Sequence, residues 1–94
     1  MRNNKLLPIG SVISLNGAKK KMMIIGSAVK VENTDKVYDY IGLPFPEGYI
    51  DSEKMFLLNA EDIAEVHFIG YVNAEAQVHL NNFAAQLMDN DNEN

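Results

Sequence analysis

The stretch that decides the fold is SVISLNGAKKKMMIIG, residues 11–26. Its Asn16-Gly17 pair lies between two apolar segments, and Asn-Gly is the pair that most easily adopts the positive φ angles of a type I′ turn. The stretch therefore predicts a β-hairpin with strands over 11–15 and 19–27, in which Leu15 pairs with Ala18.

The return strand contains an apolar run, Met22–Ile25, with no polar alternation. Such a run is typical of a strand that is covered on both faces. Gly26 ends the run, and a glycine inside a strand often marks a bulge or a bend.

The rest of the chain predicts further short strands and one helix. We expect strands at 37–42, 55–58 and 65–71, a single helical turn after Asn59, and an amphipathic helix over 74–88 capped by Asn73. The segment LPFPEGY, residues 43–49, is expected to be irregular, because its two prolines each lack a backbone donor.

This order of elements predicts an α+β fold. We expect a small antiparallel SH3-like β-barrel or half-barrel of about five strands, followed by the C-terminal amphipathic helix. The alternative is an open meander sheet with a helix on one face. Residues 1–88 would form a single domain with a flexible N-terminus at 1–5, and the acidic stretch DNDNEN, 89–94, would be a disordered tail.

Charge and hydropathy narrow the function. The net charge is −5, and seven of the eight Lys and Arg residues fall within residues 1–36. Nucleic-acid binding is disfavoured, because phosphate neutralisation needs many basic residues. The longest apolar run is far shorter than the roughly 20 residues of a membrane span, so we expect a cytoplasmic protein with no membrane insertion.

No residue pattern points to catalysis. There is no cysteine, and the two histidines, His67 and His79, lie on different predicted elements with no motif to bring them together. Two histidines at this separation also make a poor metal site, because structural zinc usually needs four ligands. We therefore expect a protein that is not an enzyme and that uses no metal and no cofactor.

Aromatic residues around the proline-rich loop are the candidate partner-binding residues. Tyrosine combines an apolar ring with a polar tip and is enriched at protein interfaces. The same rings would otherwise complete a small core. The candidates are Tyr38, Tyr40, Pro44, Phe45, Pro46 and Tyr49. A second candidate surface is the helix stripe of Leu80, Phe83 and Leu87, which we expect instead to cover the sheet.

Three stretches together resemble a known family: LLPIGSVISLNGAKKKMMIIG (6–26), YDYIGLPFPEGYI (38–50) and FLLNAEDIAEVHFIGY (56–71). They are similar to the domain-of-unknown-function family 4176 of Gram-positive bacteria. The resemblance implies a small cytosolic protein encoded near type VII secretion loci, often beside LXG-type toxins. It carries over no catalytic residues.

The leading hypothesis is a non-enzymatic protein-interaction module, acting as a chaperone or targeting adaptor for a type VII secretion effector such as an LXG toxin. The partner would be that effector or a secretion accessory protein. The alternative is an immunity protein that neutralises a toxin. A small nucleic-acid-binding barrel is a third hypothesis and an enzyme a fourth.

Overall fold

The structure is a computed structural model that describes residues 6–92, with the side chains of residues 6–87. Strands and 3₁₀ turns occupy the first two thirds of the chain, and a helix follows. Two 3₁₀ turns, Ser52–Lys54 and Ala60–Asp62, flank the fourth strand. The principal elements are β1 (Val12–Leu15), β2 (Lys21–Lys30), β3 (Val37–Phe45), β4 (Phe56–Leu58), β5 (Ile63–Phe68) and α1 (Ala74–Asn92).

All five strands belong to one antiparallel sheet in the order β4-β3-β2-β1-β5. Within residues 6–92 the two outer strands do not pair with each other, so the sheet stays open. The α+β class, the five antiparallel strands and the C-terminal helix are confirmed. The sheet is open and not a closed barrel, and the helix lies on one of its faces.

One face of the sheet carries the main hydrophobic core. Neither Ile13 nor Ile24 exposes any surface, and the two strands that carry them pair directly. The cluster also contains Met22, Tyr40 and Leu58. Partly buried side chains close over it from the chain ends and turns: Leu6, Leu7, Leu15, Ala60 and Ile63. Apolar burial at these positions supplies the largest favourable contribution to folding.

The opposite face of the sheet is covered by α1, which contacts β2 and β3. Strand pairing sets Val12 and Leu43 on either side of Met23, and residues directly opposite one another share a face. On the helix, Leu80, Ala84 and Leu87 are buried. The helix stripe therefore packs on the sheet of its own chain, as the sequence predicted, and β2 is covered on both faces.

Side-chain caps fix the start of both helical elements after β4. The Asn73 carboxamide oxygen accepts a hydrogen bond from the Ala76 backbone N–H at 2.9 Å. Asn59 and Asp62 form a reciprocal capping box around the second 3₁₀ turn. These caps satisfy backbone donors that a helix start leaves without partners, so Asn59 and Asn73 locate both elements from sequence.

Strand β3 is longer than the sequence predicted, because it continues through Leu43, Pro44 and Phe45. Pro44 lies opposite Met22 of β2. On its other side β3 pairs with β4 only from Tyr40 to Gly42. Beyond Gly42 that side has no strand partner among the described residues, so the missing N–H of Pro44 removes no ladder hydrogen bond.

The helix also extends further than expected. The sequence predicted a helix end at residue 88 and a disordered tail at 89–94, but α1 continues to Asn92. Adding residues to a formed helix gains one backbone hydrogen bond per residue, so polar residues can extend it without apolar burial. Residues 93–94 and the predicted flexible segment 1–5 lie outside the described part of the chain.

The hairpin between β1 and β2 forms, but its register and its turn type differ from the prediction. Ser14 pairs with Lys21, and residues 16–20 separate the two strands, so Leu15 and Ala18 are not ladder partners. Ala18 N–H donates to the Leu15 carbonyl at 3.1 Å, and Gly17 has a φ of +77°. Asn16 does not have a positive φ, whereas type I′ needs one at both central residues. One positive φ, at the third residue of the turn, is typical of type II.

We expect Gly17→Val to lower the free energy of unfolding by at least about 1 kcal/mol, because a β-branched residue resists positive φ. A Cβ at this position would meet no atom within 4 Å, so the loss would come from backbone strain and not from a clash. Urea denaturation measures it. Ala18→Val, at an exposed neighbour, is the control and should change the free energy by less than about 0.5 kcal/mol. Equal losses in both variants would contradict the assignment.

A second strained position lies inside β2, where Ala28 has a φ of 52°. The left-handed region costs a residue with a Cβ roughly 1–2 kcal/mol, and glycine escapes this cost while losing more chain entropy. We expect Ala28→Gly to stabilise the protein by about 0.5 kcal/mol, measured by urea denaturation. Ala85→Gly, on the exposed side of α1, should instead destabilise it by about 1 kcal/mol. Destabilisation by both changes would show that the strain at Ala28 is unimportant.

Candidate protein-interaction surface

Five exposed apolar residues lie near one corner of the sheet, where β3 ends and β4 begins. Tyr49 and Ile50 are exposed in the connecting loop, and Phe45 is exposed at the end of β3. Phe56 and Leu57 are exposed on β4, on opposite faces of the sheet. We call these five residues the aromatic corner. Apolar exposure concentrated in one part of so small a domain is typical of an interaction site.

The loop of the aromatic corner is held in place at several points. Gly48 N–H donates to the Pro44 carbonyl at 2.8 Å, and Gly48 has a φ of +77°, which favours glycine. The Lys20 ammonium pairs with the Glu47 carboxylate at 2.6 Å. The hydrogen bond from Lys20 is the main reason that the pKa of Glu47 lies below its ordinary value.

The start of β4 is fixed by a second set of polar contacts. The Asp51 carboxylate accepts from the Glu53 N–H at 2.9 Å and so caps the first 3₁₀ turn. Tyr49 and Ile50 thus lie between two anchored points, the ion pair at Glu47 and the cap at Asp51. A loop constrained in this way loses less conformational entropy when it binds a partner.

The structure separates the residues that the sequence grouped as one binding site. Phe45 and Tyr49 are exposed in the aromatic corner, Pro46 is exposed in the same loop, and Pro44 is half-buried within β3. Tyr38 lies near the other end of β3, half-buried, with the Lys36 ammonium 5.9 Å from its ring centroid. At about 3.3 Å per residue, some 23 Å of strand separates Tyr38 from Phe45.

Tyr40 is not available to a partner, which corrects the prediction that it anchors one. Its side chain is 1% exposed in the main core, and its hydroxyl oxygen accepts a hydrogen bond from the Leu7 N–H at 2.9 Å. Burial raises the pKa of the Tyr40 phenol above 10.0. The Leu7 hydrogen bond opposes this shift, and the negative charge of Asp39 adds to it. Tyr40 therefore ties the N-terminal segment to the sheet.

The second candidate surface, on the helix, is largely buried against the sheet of the same chain. Leu80 and Leu87 are buried, and Phe83 is half-buried with its ring 4.2 Å from that of His79. These side chains lie on the stripe of α1 that covers the sheet. They stabilise the fold, and they do not offer a free apolar stripe to a partner.

The described histidines lie on separate elements. His67 Nε2 is 3.1 Å from the Ser14 hydroxyl, whereas His79 contacts Phe83 on α1. Across the described residues, no group of three or more His, Asp or Glu side chains could hold a metal ion. In the same part of the chain, no helix has both the length and the hydropathy to cross a membrane.

A second apolar surface lies at the opposite edge of the sheet, and sequence reasoning missed it. Phe68 is 61% exposed and Tyr71 81% exposed. We call this surface the β5 patch: Ile9, Val66, Phe68, Ile69, Tyr71 and Val72. The apolar residues of this patch point to both sides of β5, and from sequence alone such a pattern favours a strand that is covered on both faces. The strand order shows instead that β5 is an edge strand.

Fold and surface together define a small α+β domain, an open antiparallel sheet with a helix on one face and exposed apolar side chains at both edges. The chain belongs to the family described as domain of unknown function (DUF4176), whose model matches residues 6–78. This confirms the family resemblance of the three sequence stretches. No curated protein and no solved structure gives a significant match.

We expect Tyr40→Phe to lower the free energy of unfolding by about 1–2 kcal/mol at pH 7, because it leaves the Leu7 N–H without its acceptor. The raised phenol pKa adds a pH signature. The unfolded wild-type chain ionises Tyr40 near pH 10 while the folded protein resists ionisation, so its stability falls above pH 10. Tyr40→Phe should lose less stability than the wild type between pH 9 and pH 11. Urea denaturation across that range measures both effects.

Tyr49→Phe is the matched control, because Tyr49 is 64% exposed. It should change the free energy of unfolding by less than about 0.5 kcal/mol at either pH. If Tyr40→Phe behaved like Tyr49→Phe, the hydroxyl of Tyr40 would not contribute to the fold.

Proposed function

We propose that this protein is a non-enzymatic protein-interaction module that binds its partner through the aromatic corner. The observation that carries the proposal is the exposure of Phe45, Tyr49, Ile50, Phe56 and Leu57 on a loop and strand fixed by an ion pair and an Asp cap. Aromatic anchors on a preorganised surface are the residues that most often dominate binding energy.

The rim of the aromatic corner carries charges of both signs. Exposed acids lie beside exposed lysines there: Glu47, Asp51 and Glu53, with Lys21 opposite Phe45 and Lys54 just before β4. The partner that we propose therefore has an apolar centre and a rim of mixed charge. Such rim charges would act mainly on the association rate and on specificity.

In its biological setting, we propose that the protein is a cytoplasmic chaperone or targeting adaptor for a type VII secretion effector, an LXG toxin, in Gram-positive bacteria. This setting rests on the family resemblance, and the exposed apolar corner is consistent with a role in holding another protein before export. The competing proposal is an immunity protein that neutralises the toxin, which would also be a non-enzymatic protein that binds it.

Binding to an LXG toxin tests the proposal. The full-length toxin, with its catalytic residues inactivated, and a fragment lacking the catalytic domain would each be titrated with this protein by isothermal calorimetry. An adaptor should bind both with similar affinity, whereas an immunity protein should bind only the toxin that contains the catalytic domain. Binding to neither would reject the proposed setting.

Substitutions in the aromatic corner then test the site. We expect Phe45→Ala and Tyr49→Ala each to weaken binding at least about fivefold, since buried aromatic anchors commonly contribute more than about 1 kcal/mol. Val78→Ala, which shortens another exposed apolar side chain on α1, is the control and should leave the affinity unchanged. Thermal unfolding should show that all three variants remain folded. Unchanged affinity in both corner variants would move the binding site elsewhere.

A further inference from the structure

The outer side of β5 is an edge without a strand partner. Within the described residues β5 pairs with β1 alone, and the last five residues of β5, from Ala64 to Phe68, are all exposed. An edge strand presents unpaired N–H and C=O groups that can pair with another chain. The apolar side chains of the β5 patch lie along and just beyond this edge.

The two edges of the sheet are protected to different degrees. Strand β4 is only three residues long and follows Lys54, and short length and nearby lysine both discourage edge pairing. Residues 63–72, IAEVHFIGYV, contain no Lys, Arg or Pro. The pairing with β1 does shift register twice, which makes Ala64 and His67 bulged residues. Regular pairing on the outer side of β5 is therefore confined to a short stretch around Val66.

The exposed area is of the size that a small dimer uses. With about 150–250 Å² for a whole aromatic side chain, the exposed parts of the β5 patch amount to on the order of 600 Å². A standard interface buries about 800 Å² on each partner. The patch thus supplies most of that area, and the backbone edge and the polar side chains beside it supply the remainder.

We propose that the occupant of the β5 patch is a second copy of this chain, placed with its own β5 edge against this one. A twofold contact uses the same surface on both copies, so each copy would contribute its β5 patch, and the two patches together approach the area of a standard interface. Because β4 and β5 are opposite edges of the sheet, each dimer would carry its two aromatic corners on the outside. This dimer goes beyond the proposed function, since one edge associates with itself and the other binds the partner.

Sedimentation velocity of the full chain from about 1 to 200 µM tests the dimer. We expect the wild type to shift from monomer to dimer within this range. Phe68→Glu should raise the dimer dissociation constant at least about tenfold, because the twofold axis introduces the charge into the interface twice. Tyr49→Glu, at the other edge and equally exposed, is the matched control and should leave the constant unchanged. A monomeric wild type at 200 µM, or an unchanged constant in Phe68→Glu, would overturn the proposal.

Discussion

The apolar run from Met22 to Ile25 sends side chains to both faces of β2, so both faces of the sheet need a cover. Met22 and Ile24 pack into the main core, and Met23 lies beside Val12 and Leu43 on the helix side. In a chain of 94 residues the available covers are few. The N-terminal segment and the second 3₁₀ turn close one face of the sheet, and α1 closes the other.

This use of the chain accounts for what remains exposed. The helix lies over β2 and β3, and the outer strands β4 and β5 receive less cover. Both strands keep apolar side chains in contact with solvent, in the aromatic corner and the β5 patch. A small domain cannot bury all of its apolar surface, so some exposed apolar side chains are expected. Two groups of them at opposite edges of the sheet exceed that expectation and are typical of interaction sites.

Polar contacts, and not apolar packing, decide where the corners of the fold lie. Asp39 is 2% exposed, and its carboxylate accepts from the Ala60 N–H at 2.7 Å, while its own N–H donates to the Asn59 side chain at 3.0 Å. Ser11 is fully buried and its hydroxyl accepts from the Gly70 N–H. These bonds join segments far apart in sequence. The Asp39 bonds hold the turn after β4 against β3, and the Ser11 bond holds the segment after β5 against the start of β1.

Local chemistry in the sequence determined the elements of this protein. The Asn-Gly turn, the caps at Asn59 and Asn73, the two-sided run of β2 and the helical spacing of Leu80, Ala84 and Leu87 each depend on neighbours within a few residues, and each predicted its element. The strand order was not local. It let Pro44 enter β3, buried Tyr40 while leaving Tyr49 in solvent, and made β5 an edge with Phe68 exposed. Identical residue types met opposite fates because burial depends on which distant strands become neighbours, and only the tertiary structure decides that.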